Sequence, residues 1–145
     1  KAFINSYFKR YPSVADYIER IKNYAHEKGY VETIIGRRIY LPDLSSKSHQ
    51  SRYAAKRAAV STPLQGSAAD IIKKSMINID KRLRDENFKA RMLMQVHDEL
   101  IFEMPEQETE SLTKMVRTEM ENVVELNVPL IVDIGIGHNW LEAHS

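Results

Sequence analysis

Three ionisable residues, His97, Asp98 and Glu99, stand between two runs that otherwise favour burial, Arg91 to Val96 and Leu100 to Met104. A core strand has no use for them. A carboxylate held at a hairpin tip by rigid flanking strands is a good ligand for Mg²⁺, which takes oxygen donors and commonly uses one or two protein carboxylates together with substrate phosphates. Ordinary polar turn residues are the plain alternative, but tight hairpin loops select Asn-Gly or Asp-Gly, not His-Asp. A metal-dependent phosphohydrolase built on a His-Asp pair would need further His and Asp ligands. His26, His49, His138 and His144 do not make such a set and read as surface or capping residues.

Arg57, Ser61 and Gln65 are spaced four apart, so along a continuous or mildly kinked helix they share one face, with the small residues Gly66 and Ala69 nearby. Arginine and glutamine donate to purine N3 and pyrimidine O2, acceptors present in the minor groove of every base pair, so this face suits a test of duplex geometry that ignores sequence. A polar, solvated helix face has the same spacing. Arg37, Arg38, Lys47, Arg52 and Lys56 form a basic set on or around a loop and would suit a phosphate backbone. A solvated charge run has that composition too, and only Tyr40 and Tyr53 are close enough in sequence to add base stacking.

The elements that must position these residues follow from periodicity. Phe3 to Phe8 and Val14 to Ala25 read as two helices, with Pro12 at the break, Ser13 as a cap and Gly29 as the stop. Residues 30–35 and 39–41 read as a short hairpin around Gly36, and residues 42–50 as an exposed loop. A helix over 50–62 is interrupted by Pro63, and Thr62 caps a second helix with Pro63 at its first position. Its apolar face holds Leu64, Ala68, Ile71, Ile72, Ser75, Met76, Ile79 and Leu83, opposite Asp70, Lys73, Lys74 and Lys81. After the hairpin around His97, Pro105 opens a third long helix carrying Leu112, Met115, Val116, Met120, Val123 and Val124, and residues 128–134 supply a further strand. The expected class is α+β: an antiparallel sheet with a hairpin bearing the carboxylates, packed against long helices.

Composition agrees with one globular unit. The 145 residues are 43% apolar and 28% charged, with five glycines and five prolines. The net charge of +1 conceals a division: residues 1–60 hold twelve basic and five acidic side chains, residues 61–145 nine and fifteen. One part suits phosphate and the other cations. The absence of cysteine excludes disulfides, thiolate metal sites and cysteine nucleophiles. No apolar run approaches the roughly 18 residues of a spanning helix, and the start lacks the pattern of a signal peptide.

Three segments in order, Tyr30 to Thr33 with Gly36 to Asp43, Thr62 to Lys73, and Gln95 to Leu100, resemble successive motifs of family A DNA polymerases, the DNA polymerase I type. The resemblance runs from about Phe3 to Trp140. It implies that residues 1–50 are the C-terminal part of a fingers subdomain and residues 51–145 the C-terminal portion of a palm. It further implies that Asp98 is a catalytic carboxylate on two Mg²⁺ ions, Glu99 an auxiliary acid and metal ligand beside it, and His97 a neighbour of the primer terminus. Arg57, Ser61 and Gln65 are then expected on the minor groove, with Arg37, Arg38, Lys47 and Arg52 serving the nucleic acid more generally. The implied activity is template-directed addition of dNTPs to a primer 3′-hydroxyl by two-metal phosphoryl transfer. The implied partners are primer-template DNA, dNTP and the remainder of a polymerase chain, in the cytoplasm and away from membranes. Two positions depart from the family's habit, which is glutamate at Lys56 and asparagine at Ser61. The family's first catalytic aspartate and its nucleotide-binding fingers helix belong to an earlier segment, so these residues alone are expected to be inactive. A duplex-binding module without turnover and the structural half of a split polymerase are the alternatives.

Overall fold

The computed structural model describes residues 2–144. Its helices are α1 (Ala2–Arg10), α2 (Pro12–Lys28), α3 (His49–Asp85), α4 (Thr109–Glu121) and α5 (Trp140–Ala143), and its strands are β1 (Tyr30–Glu32), β2 (Arg38–Tyr40), β3 (Arg91–Val96) and β4 (Glu99–Glu103). The class is α+β, with two antiparallel two-stranded sheets, β1–β2 and β3–β4. Two compact units, Lys1–Ala68 and Ala69–Ser145, divide within α3. None of the helices among the described residues is long and apolar enough to cross a membrane.

In the first unit Pro12 occupies the opening turn of α2 behind Tyr11, so Ser13 lies inside the helix and does not cap it. Gly29, at φ 75°, ends α2 in the left-handed conformation that glycine adopts without a steric penalty, and its N–H donates to the Ala25 carbonyl. The β1–β2 hairpin that follows is shorter than expected. Ile34 and Ile35 lie in its turn and are half exposed. Ala25, Val31, Leu44, Ala55 and Ala59 form the core of this unit; Leu44 belongs to a 3₁₀ turn, Pro42–Ser45, inside the segment expected to be an exposed loop.

The expected break at Pro63 does not occur, for α3 is one helix of 37 residues with Pro63 inside it. An internal proline removes one N–H, crowds the preceding turn and costs about 3 kcal/mol. Two hydroxyls occupy carbonyls around the defect. The Tyr17 hydroxyl donates to the Val60 carbonyl at 3.3 Å, and the Ser67 hydroxyl donates to the Pro63 carbonyl at 2.6 Å. The start of α3 is held by Ser48, whose hydroxyl oxygen accepts from the Ser51 N–H at 3.3 Å.

Beside this core, β1–β2 carries a polar cluster. The Tyr24 hydroxyl donates to Glu32 Oε2 at 3.0 Å, and Arg38 Nε donates to Glu32 Oε1 at 3.0 Å while its guanidinium lies 4.8 Å from the centre of the Tyr30 ring. Hydrogen bonding with Tyr30, then loss of hydration, then the Glu32 carboxylate push Tyr24 up to about 12. The Arg38 hydrogen bond, followed by that from Tyr24, holds Glu32 below the usual carboxylate range. A raised tyrosine stabilises the fold fully below its unfolded value near 10 and loses that contribution as pH rises through about 12. Ultraviolet titration should therefore show a tyrosinate appearing near pH 12, a step that Tyr24→Phe removes. If the step persists in that variant, the assignment fails.

In the second unit Ile79, Leu83, Ala90, Leu112, Met115 and Val116 make the core, with Met92, Leu100 and Phe102 of the β3–β4 hairpin packed on it. The helical period places Ile72, Ser75, Ile79 and Leu83 correctly, but three members of α3 change sides. Asp70, expected on the polar face, is 6% exposed, whereas Leu64 and Ala68, expected in the core, are exposed, Leu64 to 62%. The helix turns its small and polar residues inward around Pro63, so its buried stripe does not run straight through the apolar positions. Pro105 precedes a 3₁₀ turn, and α4 begins only at Thr109 and ends at Glu121, leaving buried Val123 beyond it.

Residues 128–134 form no strand. Side chains of α4 take the place of a ladder partner there: Glu121 Oε1 accepts from the Val132 N–H at 3.0 Å, and Arg117 donates to the Val132 carbonyl at 2.9 Å. With these groups bonded to a helix, no neighbouring strand is needed to satisfy them.

Candidate functional site

β3 and β4 pair from Arg91 opposite Glu103 to Val96 opposite Glu99, leaving His97 and Asp98 as a two-residue loop. Glu99 is thus the first residue of β4 and not part of the turn. His97 has φ 53°, and Asp98 is not in the positive region. A positive first residue followed by a negative second is the pattern of a type II′ turn, where glycine is usual. A histidine held there costs about 1–2 kcal/mol. Gln95 bridges the loop from within β3, donating through Nε2 to the His97 carbonyl at 2.7 Å. Gln95 opens the Gln95 to Leu100 motif, but the motif assigns it no role; its proximity to an unfavourable turn dipeptide is the signal for this one.

Asp98 is exposed and makes no hydrogen bond or ion pair among the described residues, so both its oxygens are available. Glu99 is partly buried, with Oε1 3.4 Å from His144 Nδ1 beyond α5. His144, read as a surface residue, therefore touches the acid beside the tip. The donor set is hard oxygen, which suits Mg²⁺ better than softer metals. Among the described residues no three His, Asp or Glu side chains gather to hold a metal ion by themselves. The two carboxylates at the tip are of the kind that furnishes part of a coordination shell.

A register shift between Met92 and Met94 inserts Leu93 as an extra residue opposite β4. Strict alternation would put Met92, Met94 and Val96 on one face. Instead Met92, opposite Phe102, lies on the core, and Met94, opposite Ile101, is 50% exposed. The start of β3 is fixed by Glu108, whose carboxylate accepts from the Lys89 and Ala90 N–H groups, each at 2.9 Å.

The residues expected to meet nucleic acid lie in the first unit. Arg57, Ser61 and Gln65 are exposed along α3, as their spacing requires, and neither the guanidinium of Arg57 nor the amide of Gln65 has a partner among the described residues. Lys47 and Lys56 are exposed likewise. The other basic residues are engaged within the protein. Arg52 donates to the Ser46 and Lys47 carbonyls at 2.7 and 2.9 Å, Arg38 is held by Glu32 and Tyr30, and Arg37 donates to the Gly66 carbonyl at 3.2 Å. Gly66 itself serves the protein and not an outside partner. A Cβ there would stand 2.8 Å from Thr33 Cγ2 and 3.0 Å from Ile39 Cδ1, so its smallness seats the β1–β2 hairpin on α3. The Ile34 N–H, donating to Ser67 Oγ at 2.8 Å, closes the same contact.

Comparison with known proteins covers nearly the whole chain. The family model described as DNA polymerase family A matches residues 1–142. The chain is 46% identical over 144 residues to DNA polymerase I of Pseudomonas aeruginosa and 50% identical over 141 residues to DNA polymerase I of Geobacillus stearothermophilus. These alignments cover 99% and 97% of the chain but only 16% of each relative, so the chain spans about a sixth of their length. Among solved structures it is similar to the POL domain of Pol1 from M. smegmatis, in complex with DNA primer-template and dNTP, with a TM-score of 0.95 and 46% identity over 98% of this chain and 25% of that one.

Proposed function

Because the chain belongs to DNA polymerase family A, we propose that it acts within a DNA-directed DNA polymerase, in template-directed addition of dNTPs to a primer 3′-hydroxyl. The observation that carries this reading is Asp98, an exposed carboxylate with free oxygens on a two-residue loop between paired strands. In this reading residues 1–50 are the end of the fingers and residues 51–145 part of the palm.

Asp98 and Glu99 are the residues that would hold Mg²⁺. Two such ions, when bound, activate the 3′-hydroxyl and neutralise the triphosphate and the leaving pyrophosphate. The contribution of this chain is positional. The β3–β4 ladder fixes Asp98, Gln95 secures the backbone turn beneath it, and His97 stands against the primer terminus. Arg57, Ser61 and Gln65 donate to minor-groove acceptors shared by all correct pairs and displaced in a mismatch. Lys47 takes the phosphate contact among the basic set, whereas Arg37, Arg38 and Arg52, already bonded internally, contribute field more than contact. With only part of a metal shell present, residues 1–145 by themselves are inactive.

The test is primer extension with Mg²⁺ and dNTPs. The full-length polymerase carrying these residues is expected to extend a primer as the template directs, and the pure 145-residue chain to extend none. Failure of the folded full-length protein to incorporate nucleotides would overturn the polymerase reading. Incorporation by the isolated chain would overturn the incomplete site.

A further inference from the structure

The turn from Thr33 to Arg37, between β1 and β2, is closed on itself. The Thr33 N–H donates to the Arg37 carbonyl at 3.0 Å, the Gly36 N–H to the Thr33 carbonyl at 2.9 Å, and the Arg37 N–H to Thr33 Oγ1 at 3.1 Å. Gly36, at φ 83°, takes the left-handed conformation that such a closure requires. Two further donors of the turn reach α3. The Ile34 N–H donates to Ser67 Oγ at 2.8 Å, and Arg37 Nη2 donates to the Gly66 carbonyl at 3.2 Å. Ser67 passes the contact on, its hydroxyl donating to the Pro63 carbonyl at 2.6 Å.

We infer that this turn is a brace that sets the position of Gln65, with Ser67 and Arg37 as positioning residues for the discrimination of matched from mismatched primer termini. It rests on the minor-groove role given to Gln65 above and adds residues that act from behind the helix. Pro63 lacks the N–H that would bond to the Ala59 carbonyl, so α3 has lost a rung two residues before Gln65. A helix bends most readily at such a gap. The bracing bonds fall on Pro63, Gly66 and Ser67, at the gap and just beyond it. At about 100° per residue, Gly66 and Ser67 stand about 100° and 160° around the axis from Gln65, so the turn grips α3 away from the side on which Gln65 is exposed. Arg57 and Ser61 precede the gap, and the brace bears less on them. Hydrogen bonds weaken steeply with misalignment. An α3 free to bend at Pro63 would therefore blur the difference between an acceptor in place and one displaced by a mismatch.

The test uses the full-length polymerase and single-turnover extension of primers with matched and mismatched termini. Gln65→Ala is the reference and should slow matched extension more than mismatched. Ser67→Ala removes both bonds of the hydroxyl, and Gly66→Ala places a Cβ 2.8 Å from Thr33 Cγ2 and so pushes the turn away. Each should slow matched extension about three- to tenfold, the range of one neutral hydrogen bond, and mismatched extension by less than about twofold. Alanine is the best helix former, so Ser67→Ala keeps α3 intact. Ser67→Thr retains the hydroxyl and should restore the unmodified ratio. Added to Gln65→Ala, Ser67→Ala should narrow the ratio no further, a result that a general loosening of the fold would not produce. Arg37→Met should behave as Ser67→Ala does, whereas loss of its charge alone would slow both termini equally. Ser67→Ala and Gly66→Ala leaving the ratio unchanged while Gln65→Ala narrows it would overturn the brace alone, as would effects that persist in full beside Gln65→Ala. An unchanged ratio in Gln65→Ala would remove the minor-groove role and the brace with it. Primer extension by the unmodified enzyme reports separately on the polymerase reading.

Discussion

Asp98→Asn in the full-length polymerase is expected to lower the rate of nucleotide incorporation by about a thousandfold or more. On the proposed reading, replacing Asp98 by its neutral isostere removes a charged metal ligand. Metal-borne stabilisation of transition-state charge is worth several kcal/mol, and each 1.36 kcal/mol is a decade in rate. The folded state should hardly notice. Asp98 is exposed, has no partner among the described residues and does not occupy the positive-φ position of its turn, so asparagine fits the same backbone. Affinity for primer-template should therefore stay within a few-fold while single-turnover incorporation collapses, the division expected when an interaction made in the transition state is lost. Near-normal incorporation by a folded Asp98→Asn enzyme would remove Asp98 from the chemistry.

Ile79→Ala is expected to have the largest effect on stability, reaching the β3–β4 hairpin from beneath. Ile79 is fully buried among Leu83, Leu112, Met115 and Val116, and Met92, Leu100 and Phe102 rest on that cluster. Truncation of such a residue costs about 2–5 kcal/mol, the spread reflecting how far the cavity collapses. A two-stranded hairpin has marginal stability of its own, so β3–β4 depends on this support. Hydrogen exchange in the full-length protein should show the amides of β3 and β4 losing most of their protection, while β1–β2, built on the Ala25 and Val31 core, keeps its own. Unchanged protection in β3–β4 would mean that the hairpin is held by something other than this core.

Much of the arrangement around Asp98 was legible because two apolar runs with a polar interruption leave few other ways to fold. The ends of both strands agree with the periodic reading to within one residue. Family membership was legible from three ordered motifs, and the family match bears it out. Elsewhere local signals competed with tertiary ones. Pro63 has the chemistry of a helix breaker, and only Tyr17, 46 positions away in the chain, and Ser67 show why α3 continues through it. Gly66 signals close approach without saying of what, and the answer, Thr33 and Ile39, depends on a hairpin docked from another part of the chain. Val128 to Ile134 has strand composition, but a strand needs a partner, and composition does not reveal that Arg117 and Glu121 take the backbone groups of Val132. The same limit hid the burial of Asp70 and the exposure of Leu64, which depend on how the chain surrounds α3 rather than on periodicity within it.

The extra residue at Leu93 bears on how this hairpin tolerates changes of length. Arg91 and Met92 pair on one side of it and Met94 to Val96 on the other, so removing Leu93 alone would leave every existing partnership intact. Removing Gln95 instead would force the flanking residues to slide, and a slide of one position turns side chains to the opposite face. A bulge also bends its strand and sharpens its twist. The deletion that preserves all the pairings would therefore still rotate the tip, and Asp98 would remain in register while pointing elsewhere. Insertions and deletions within β3 would divide accordingly into those that break the ladder and one that keeps the ladder but misdirects its carboxylate.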